Sequence, residues 1–317
     1  MAKRKNGNKY YIQEVVEQGM TWLNVVKPDR MTLAELKKRY PFFMDIDLQD
    51  CLPPFQRPKL LVRPDYLFMV MLFPVFDTET GRIQPSEVDF FVGKDFVVTS
   101  HAGNLDVLLD MADRYHDHID DASCLIPING DPARWIYNLL HGLFIGCFPL
   151  LTRLSNDIMV AETSLGRLDR RTVKEILRIK SNIVDFRKTM QGHVMVLRKF
   201  VERAHQHLAM DGMVAYYEDV MGHAKEIWDF LENDRDTINA IYDSHVSLVS
   251  LETNEATKTL TALAFILFPM SLVAALFGMN AQHMPFVGES SDFWSMVAAV
   301  AFTGIIVTLY IKMKKWL

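Results

Sequence analysis

The chain has 317 residues and a formal net charge of −5 at pH 7, a balance that argues against nucleic acid as the main partner. Its mean composition, half hydrophobic and 23% charged, looks soluble only because a charged N-terminal part dilutes an apolar tail. Three cysteines, Cys51, Cys124 and Cys147, show no metal-type spacing and read as reduced cytosolic thiols rather than a disulfide framework.

The N-terminal MAKRKNGNKYY is basic, but no apolar core follows it, so it does not read as a secretory signal and the soluble part is expected in the cytoplasm. Residues 21–26, TWLNVV, read as a strand, and KPDRMTLAELKKRYP as a loop and a helix that Pro41 ends. Residues 45–52 form a short helical or turn segment, and PPFQRPK then forbids regular helix. Three strand-like runs follow at 66–76, 87–92 and 95–100. DTETGRIQPS separates the first two, and Gly93-Lys94 links the last two as a hairpin. NLDVLLDMADRYHDH returns to a helical pattern.

From about Pro132 onward only helix signals appear. Residues 134–154 read as a helix broken or kinked near Pro149, with helical character continuing to 165. Residues 170–205 read as one long amphipathic helix. After Gly212 a heptad seam runs through Met213, Tyr217, Val220, Ala224, Ile227, Leu231, Asp234, Ile238, Ile241, His245 and Leu248. No break separates this seam from the apolar run at 259–280, so one helix on the order of 100 Å is expected from about Gly212 to Met279.

Residues 259–279 carry no charged side chain, a length that suits one bilayer crossing, and a second uncharged run covers 293–311. Lys258 precedes the first run and Lys312, Lys314 and Lys315 follow the second, whereas the loop between them has Glu289 and Asp292 but no Lys or Arg. The positive-inside rule puts that loop outside and both termini in the cytoplasm. The expected fold is an α+β membrane protein. It comprises an α/β domain at 1–130, a helical region with the stalk at 131–258, and a first span at 259–280. An outer loop at 281–292, a second span at 293–311 and a basic tail at 312–317 complete it.

Continued at helical spacing, the stalk gives one stripe of Asn254, Thr257, Thr261, Ala264, Phe268, Ser271, Ala275 and Gly278. A lipid-facing stripe would be richer in Leu, Ile and Val. The small and hydroxyl residues suit either a pore lining or helix–helix packing. Two spans cannot enclose a water path, so a pore requires several copies. Asn280 at the exit of the first span could then hydrogen-bond the water shell of a cation, Mg²⁺ above all, because Mg²⁺ dehydrates reluctantly.

The run Asn254-x-x-x-Lys258-x-Leu260-Thr261, a span containing Pro269, Phe277-Gly278-Met279-Asn280 and the terminal Lys-Lys-Trp-Leu resemble the CorA family of divalent-cation channels. QRPK at 56–59, FFVGKDFVVT and YYEDVMGH at 216–223 are similar to segments of that family, so the resemblance covers nearly the whole chain. It implies a homopentameric Mg²⁺ channel in the inner (plasma) membrane, with a cytoplasmic funnel, a stalk that becomes the pore-lining span, and an outer ring from the second span. By the same resemblance Gly278, Met279 and Asn280 form the cation entrance, and Asn254 a polar ring. Thr257 and Leu260 take the constriction, where Thr257 departs from the usual Met. Phe268, a bulky substitute, and Ser271 match further pore-facing levels, and Thr261 and Ala275 join the expected pore lining through their places on the stripe.

The resemblance also implies that Asp50 and Asp219 form an Mg²⁺-sensing pair between subunits; surface aspartates without that role are the alternative. Lys312, Lys314 and Lys315 read as an interface anchor or basic ring. The loop AQHMPF after Asn280 lacks the family's aromatic and acidic residues, and His283 favours a softer ion. The expected function is passive uptake of Mg²⁺, with Co²⁺ or Ni²⁺, gated by internal Mg²⁺. The alternatives are a Zn²⁺ transporter of the same superfamily, disfavoured by Met279, and a membrane-tethered adaptor or sensor without transport. His116, Asp117, His118, Asp120 and Asp121 form a weaker metal candidate. The chain carries no nucleotide loop, nucleophile–base spacing or zinc-enzyme motif, so no enzyme activity and no covalent cofactor are expected.

Overall fold

The computed structural model describes residues 11–116, 126–166, 169–279 and 292–314. The chain divides into two compact units, Met1–Tyr242 and Asp243–Leu317.

The first unit is built on a six-stranded sheet of β1 (Tyr11–Glu17), β2 (Met20–Val26), β3 (Lys59–Val62), β4 (Leu67–Asp77), β5 (Arg82–Val92) and β6 (Phe96–His101). Their order is β1-β2-β6-β5-β4-β3, and only β2 and β6 pair in parallel. Helices α1 (Arg30–Arg39) and α2 (Asp45–Asp50) supply Leu33, Leu36 and Leu48 to a small core with Phe43, Phe68, Phe91 and Val98. The larger core collects the alternate strand residues Leu67, Met69, Met71, Phe90 and Val97, together with later helices. Both faces of the sheet are therefore covered, and its central strands read as continuous apolar runs rather than alternating ones.

The helices are α3 (Asp106–His116), α4 (Pro132–Ile145), α5 (Phe148–Thr163), α6 (Arg170–Met190), α7 (His193–Ala204), α8 (Val214–Phe277) and α9 (Asp292–Met313). Asp29, Asp131 and Asp169 cap α1, α4 and α6 by accepting from backbone N–H groups of the first turn.

Four local expectations change. Residues 11–17 form β1, joined to β2 through Gln18 and Gly19 at φ 49° and 90°, the positive angles a tight hairpin turn requires. Residues 59–62 form β3. β5 begins at Arg82, inside the segment expected as a connection, and Pro85 lies opposite Pro74 of β4. At those two positions neither β3 nor β6 is paired, so each strand has a free edge and the absent N–H breaks no ladder. Gly192, at φ 92°, divides the helix expected over 170–205 into α6 and α7.

The heptad seam becomes the buried face of α8. Met213, Tyr217, Val220, Ala224, Ile227, Leu231, Asp234, Ile238, Ile241 and His245 are all buried, and Leu248 is exposed. Tyr217 donates its hydroxyl proton to the Ala133 carbonyl of α4 at 2.7 Å, and Arg187 of α6 pairs with Glu232 at 2.5 Å. As far as Ile241 the seam thus packs into the core of the first unit. Asp234 lies 6% exposed, and burial raises its pKa against a hydrogen bond from Ser155.

Among the described residues three helical stretches are long and apolar enough to cross a membrane: Pro132–Thr163, Val214–Phe277 and Phe293–Met313. The apolar window of the first is 56% buried inside the folded chain, against 6% and 11% for the others. The first stretch is α4 with α5, and it forms core. The exposed pair are the spans read from the sequence.

Candidate functional site

The second unit contains the end of α8 and α9. Gly304 of α9 lies against Met270 of α8, where an added Cβ would stand 2.8 Å from the methionine sulfur. A small residue is what brings two apolar helices close in a membrane. On α8, Ala262 is buried, and Ile266, Pro269, Met270, Val273 and Phe277 are half-buried. At 3.6 residues per turn these share one face.

The expected pore stripe occupies the opposite face. Asn254, Thr257, Leu260, Thr261, Phe268, Ser271, Ala275 and Gly278 are exposed, with Leu260 and Phe268 at 67% and 74%, whereas Ala264, also expected on the stripe, is half-buried. Hydroxyls, a carboxamide and small residues therefore stand on the side of α8 that the chain itself leaves uncovered. The Thr257 hydroxyl donates to the Thr253 carbonyl at 2.8 Å, so its oxygen turns only lone pairs outward, beside its methyl group.

α8 ends at Phe277 because the next two residues leave helical geometry while Gly278 N–H still reaches the carbonyls of Ala274 and Ala275 at 3.1 Å. A Cβ on Gly278 would meet those carbonyl oxygens at 3.6 and 3.4 Å, an ordinary approach. Met279 is 61% exposed. Asn280, the loop at 281–291 with His283, and Lys315 lie outside the described residues; Lys312 and Lys314 are exposed at and beyond the end of α9.

In the first unit Asp50 pairs with Lys59 at 2.6 Å, and its side chain is 19% exposed. Asp219 is 56% exposed and lies 3.5 Å from His223 Nε2, one turn further along α8. His141 of α4 completes this group, each of the three offering a ligand atom within 4.8 Å of the others. Burial lowers the His141 pKa, His223 lowers it further and Asp219 opposes both. The sequence reading singled out Asp219 but missed both histidines. Asp219 and His223 in YYEDVMGH carry a visible i,i+4 signal, whereas nothing local points to His141. The side chain of His116 and residues 117–121, like Cys124, fall outside the described residues.

An α/β unit, one 64-residue helix and a second apolar helix give the architecture of a membrane protein with two spans near its C-terminal end. A family model of the CorA-like Mg²⁺ transporter proteins matches residues 17–315, and the chain belongs to that family. It is 28% identical to the cobalt/magnesium transport protein CorA of Thermotoga maritima, over 94% of this chain and 83% of the relative. It is 24% identical to the putative metal ion transporter YfjQ of Bacillus subtilis, covering 93% and 89% of the two chains. The CorA magnesium transporter of Methanocaldococcus jannaschii superposes with a TM-score of 0.81 at 17% identity, over 94% of this chain and 92% of that one. The fold read from the sequence is therefore that of the family, which is described as one of Mg²⁺ transporter proteins.

Proposed function

We propose that this chain is the subunit of a homopentameric channel for passive uptake of divalent cations, Mg²⁺ foremost and Co²⁺ or Ni²⁺ with it. The observation that carries this reading is the split of α8 into two faces. Apolar Ala262, Ile266, Met270 and Val273 turn toward the side that includes the α9 contact, and Thr257, Thr261, Ser271 and Ala275 are left uncovered. In lipid a hydroxyl-bearing exposed face is satisfied best by water or by copies of itself, and a ring of such faces encloses a water path. The name of the Thermotoga relative, a cobalt/magnesium transport protein, supports the ion class. The subunit number follows the family resemblance.

Gly278, Met279 and Asn280 form the outer entrance in this reading. Gly278 supports that role because, among the described residues, neither a positive φ nor a close contact calls for glycine there. Close approach of neighbouring copies, or of a hydrated ion, would. Asn254 forms the inner polar ring, and Thr257 with Leu260 the constriction. The side chains of Lys312, Lys314 and Lys315 anchor the cytoplasmic interface of the inner membrane, with both termini inside. Internal Mg²⁺ closes the channel by bridging Asp219 of one copy to Asp50 of the next, where unbridged carboxylates repel.

Liposomes holding the purified protein and an internal Mg²⁺ reporter test the reading. Asn280→Ala suppresses uptake while leaving the oligomer intact; unchanged uptake removes Asn280 from the entrance. Absence of flux under an inward gradient in the unaltered protein would favour a membrane-tethered sensor instead.

A further inference from the structure

The small core of the first unit gives way, at one end, to a polar cavity. Phe91 of β5 and Val98 of β6 are cross-strand neighbours inside that core. One step along the same face Asp89 stands opposite Ser100, and Glu87 follows two residues further along β5. Together with Cys51, Leu52, Pro53 and Phe55 these side chains line a cavity of about 190 Å³.

The polar part of this lining is buried and short of partners. Asp89 and Ser100 are 2% and 0% exposed, and Asp89 Oδ1 and Ser100 Oγ have no hydrogen-bond partner. Buried polar atoms left in that state are costly and uncommon. The neighbouring groups are engaged elsewhere. Cys51 donates its thiol proton to the Asp47 carbonyl at 3.5 Å. His101, also at the cavity, accepts from the Gly103 N–H through Nδ1 at 3.1 Å, which leaves Nε2 to donate to Asn24 Oδ1 at 3.0 Å. Glu87 accepts from the Gln56 N–H. Lys59 is paired with Asp50 at 2.6 Å, and Lys27 is exposed where the cavity opens. Burial raises the pKa of Glu87, and burial with the adjacent Glu87 charge raises that of Asp89 well above the carboxylate range. A cation set between the two carboxyls would reverse both shifts.

We propose that this cavity binds a small primary alkylammonium ion, with its nitrogen on Asp89, Glu87 and Ser100 and its hydrocarbon chain against Leu52, Pro53 and Phe55. An ammonium head carries three N–H donors and a compact positive charge. It matches the two unpartnered oxygens and the Glu87 carboxyl, and its bonds to carboxylates are charge-assisted. The apolar side of the lining suits hydrocarbon. It offers nothing to Mg²⁺, which requires oxygen on all six sides. Both ring nitrogens of His101 are taken, so a softer metal finds no imidazole here either. The volume lies below the roughly 300–1,000 Å³ of pockets for drug-sized ligands, so a chain of a few carbons is the fit. Pro53 and Phe55 are exposed, and the ion enters from solvent past them. The Asp50 charge is felt by both carboxyls. On the reading of Asp50 as half of an Mg²⁺ sensor, a cation held here therefore weakens Mg²⁺ binding at Asp50. The binding itself does not depend on that reading.

Full-length protein in detergent is titrated calorimetrically at neutral pH with n-butylammonium chloride. Tetramethylammonium chloride, which has the charge but no N–H donor, serves as the control at equal ionic strength. The expected result is saturable binding of butylammonium alone. Asp89→Asn should weaken it about tenfold or more and Ser100→Ala about fivefold, the losses expected for a charge-assisted and a neutral hydrogen bond. Glu79→Gln, at the exposed turn between β4 and β5, should leave it unchanged. Butylammonium should also raise the melting temperature of the unaltered protein, and raise it less in Asp89→Asn, whose melting without ligand checks that it folds. Equal binding of tetramethylammonium, equal affinity in a folded Asp89→Asn, or no saturable binding by the unaltered protein overturns the proposal. The last result is also the one expected if a lysine of a neighbouring copy fills the cavity. None of these readouts measures flux, so failure here leaves the transport reading standing, and an absence of flux leaves the ammonium site standing.

Discussion

The two ends of α8 use the same helical spacing for opposite purposes. Between Met213 and His245 the repeating positions are buried, with Tyr217, Val220, Ile227, Leu231 and Ile238 fully enclosed. Between Asn254 and Gly278 the repeating positions of the polar stripe are exposed, apart from half-buried Ala264. The first stretch is completed by α4 to α7 of its own chain. The second has Ala262 as its one buried residue among the described residues, and on the reading proposed above lipid and other copies complete it. Periodicity alone reports that a face is used. Composition, apolar in one stretch and small or hydroxylated in the other, reports what covers it.

Substitutions on the two stretches should separate cleanly. Leu231→Ala removes a fully buried side chain and should cost about 2–5 kcal/mol in the soluble unit. Phe268→Ala, exposed at 74%, should leave the unfolding of that unit unchanged and alter flux instead. Denaturant unfolding monitored at the buried tryptophans Trp22 and Trp135 distinguishes them; equal destabilisation by both would erase the contrast.

Acid should act on the soluble unit first. Burial lowers the pKa of His193, and of His101, from 6.5 to about 4. The unfolded chain therefore takes up these protons near pH 6.5 while the folded chain does not until about pH 4. Their stability contribution is present above pH 6.5 and is lost as pH falls through that window, on the order of 3 kcal/mol per histidine. His193 Nδ1 donates to the Met190 carbonyl at 2.9 Å, a bond that the amide of His193→Asn can replace. That variant should lose less stability than the unaltered protein between pH 6.5 and pH 4, and parallel pH profiles would contradict the assignment. The smallest effect is regulatory: Asp219→Ala should raise flux at high internal Mg²⁺ with little change in folding, because Asp219 is more than half exposed. An unchanged response would remove Asp219 from gating.

The sequence made much of this legible, and where it did not the reasons are physical. The seam and both spans could be read because helical period and hydrophobic length are local properties. β5 was read five residues short because Pro85 signals a break, and only the pairing pattern shows that its absent N–H faces a free edge. The split at Gly192 depends on a left-handed backbone angle that a lone glycine does not announce. Of His141, Asp219 and His223, the last two share a helix and were readable as a pair, but His141 reaches them only through the packing of α4 on α8. The stripe expected to line a pore was legible as a face, and in the folded chain all of its members but half-buried Ala264 are exposed.

The most direct measurement of the central claim is thiol modification of single cysteines along α8 during Mg²⁺ flux, in a background with Cys124 replaced. Ser271→Cys and Ala275→Cys, on the exposed stripe, should be blocked by a water-soluble thiol reagent. Ala262→Cys and Val273→Cys, on the face that includes the α9 contact, should conduct with or without it. Block confined to the Ala262 and Val273 face, or no block anywhere on the stripe, would contradict the account.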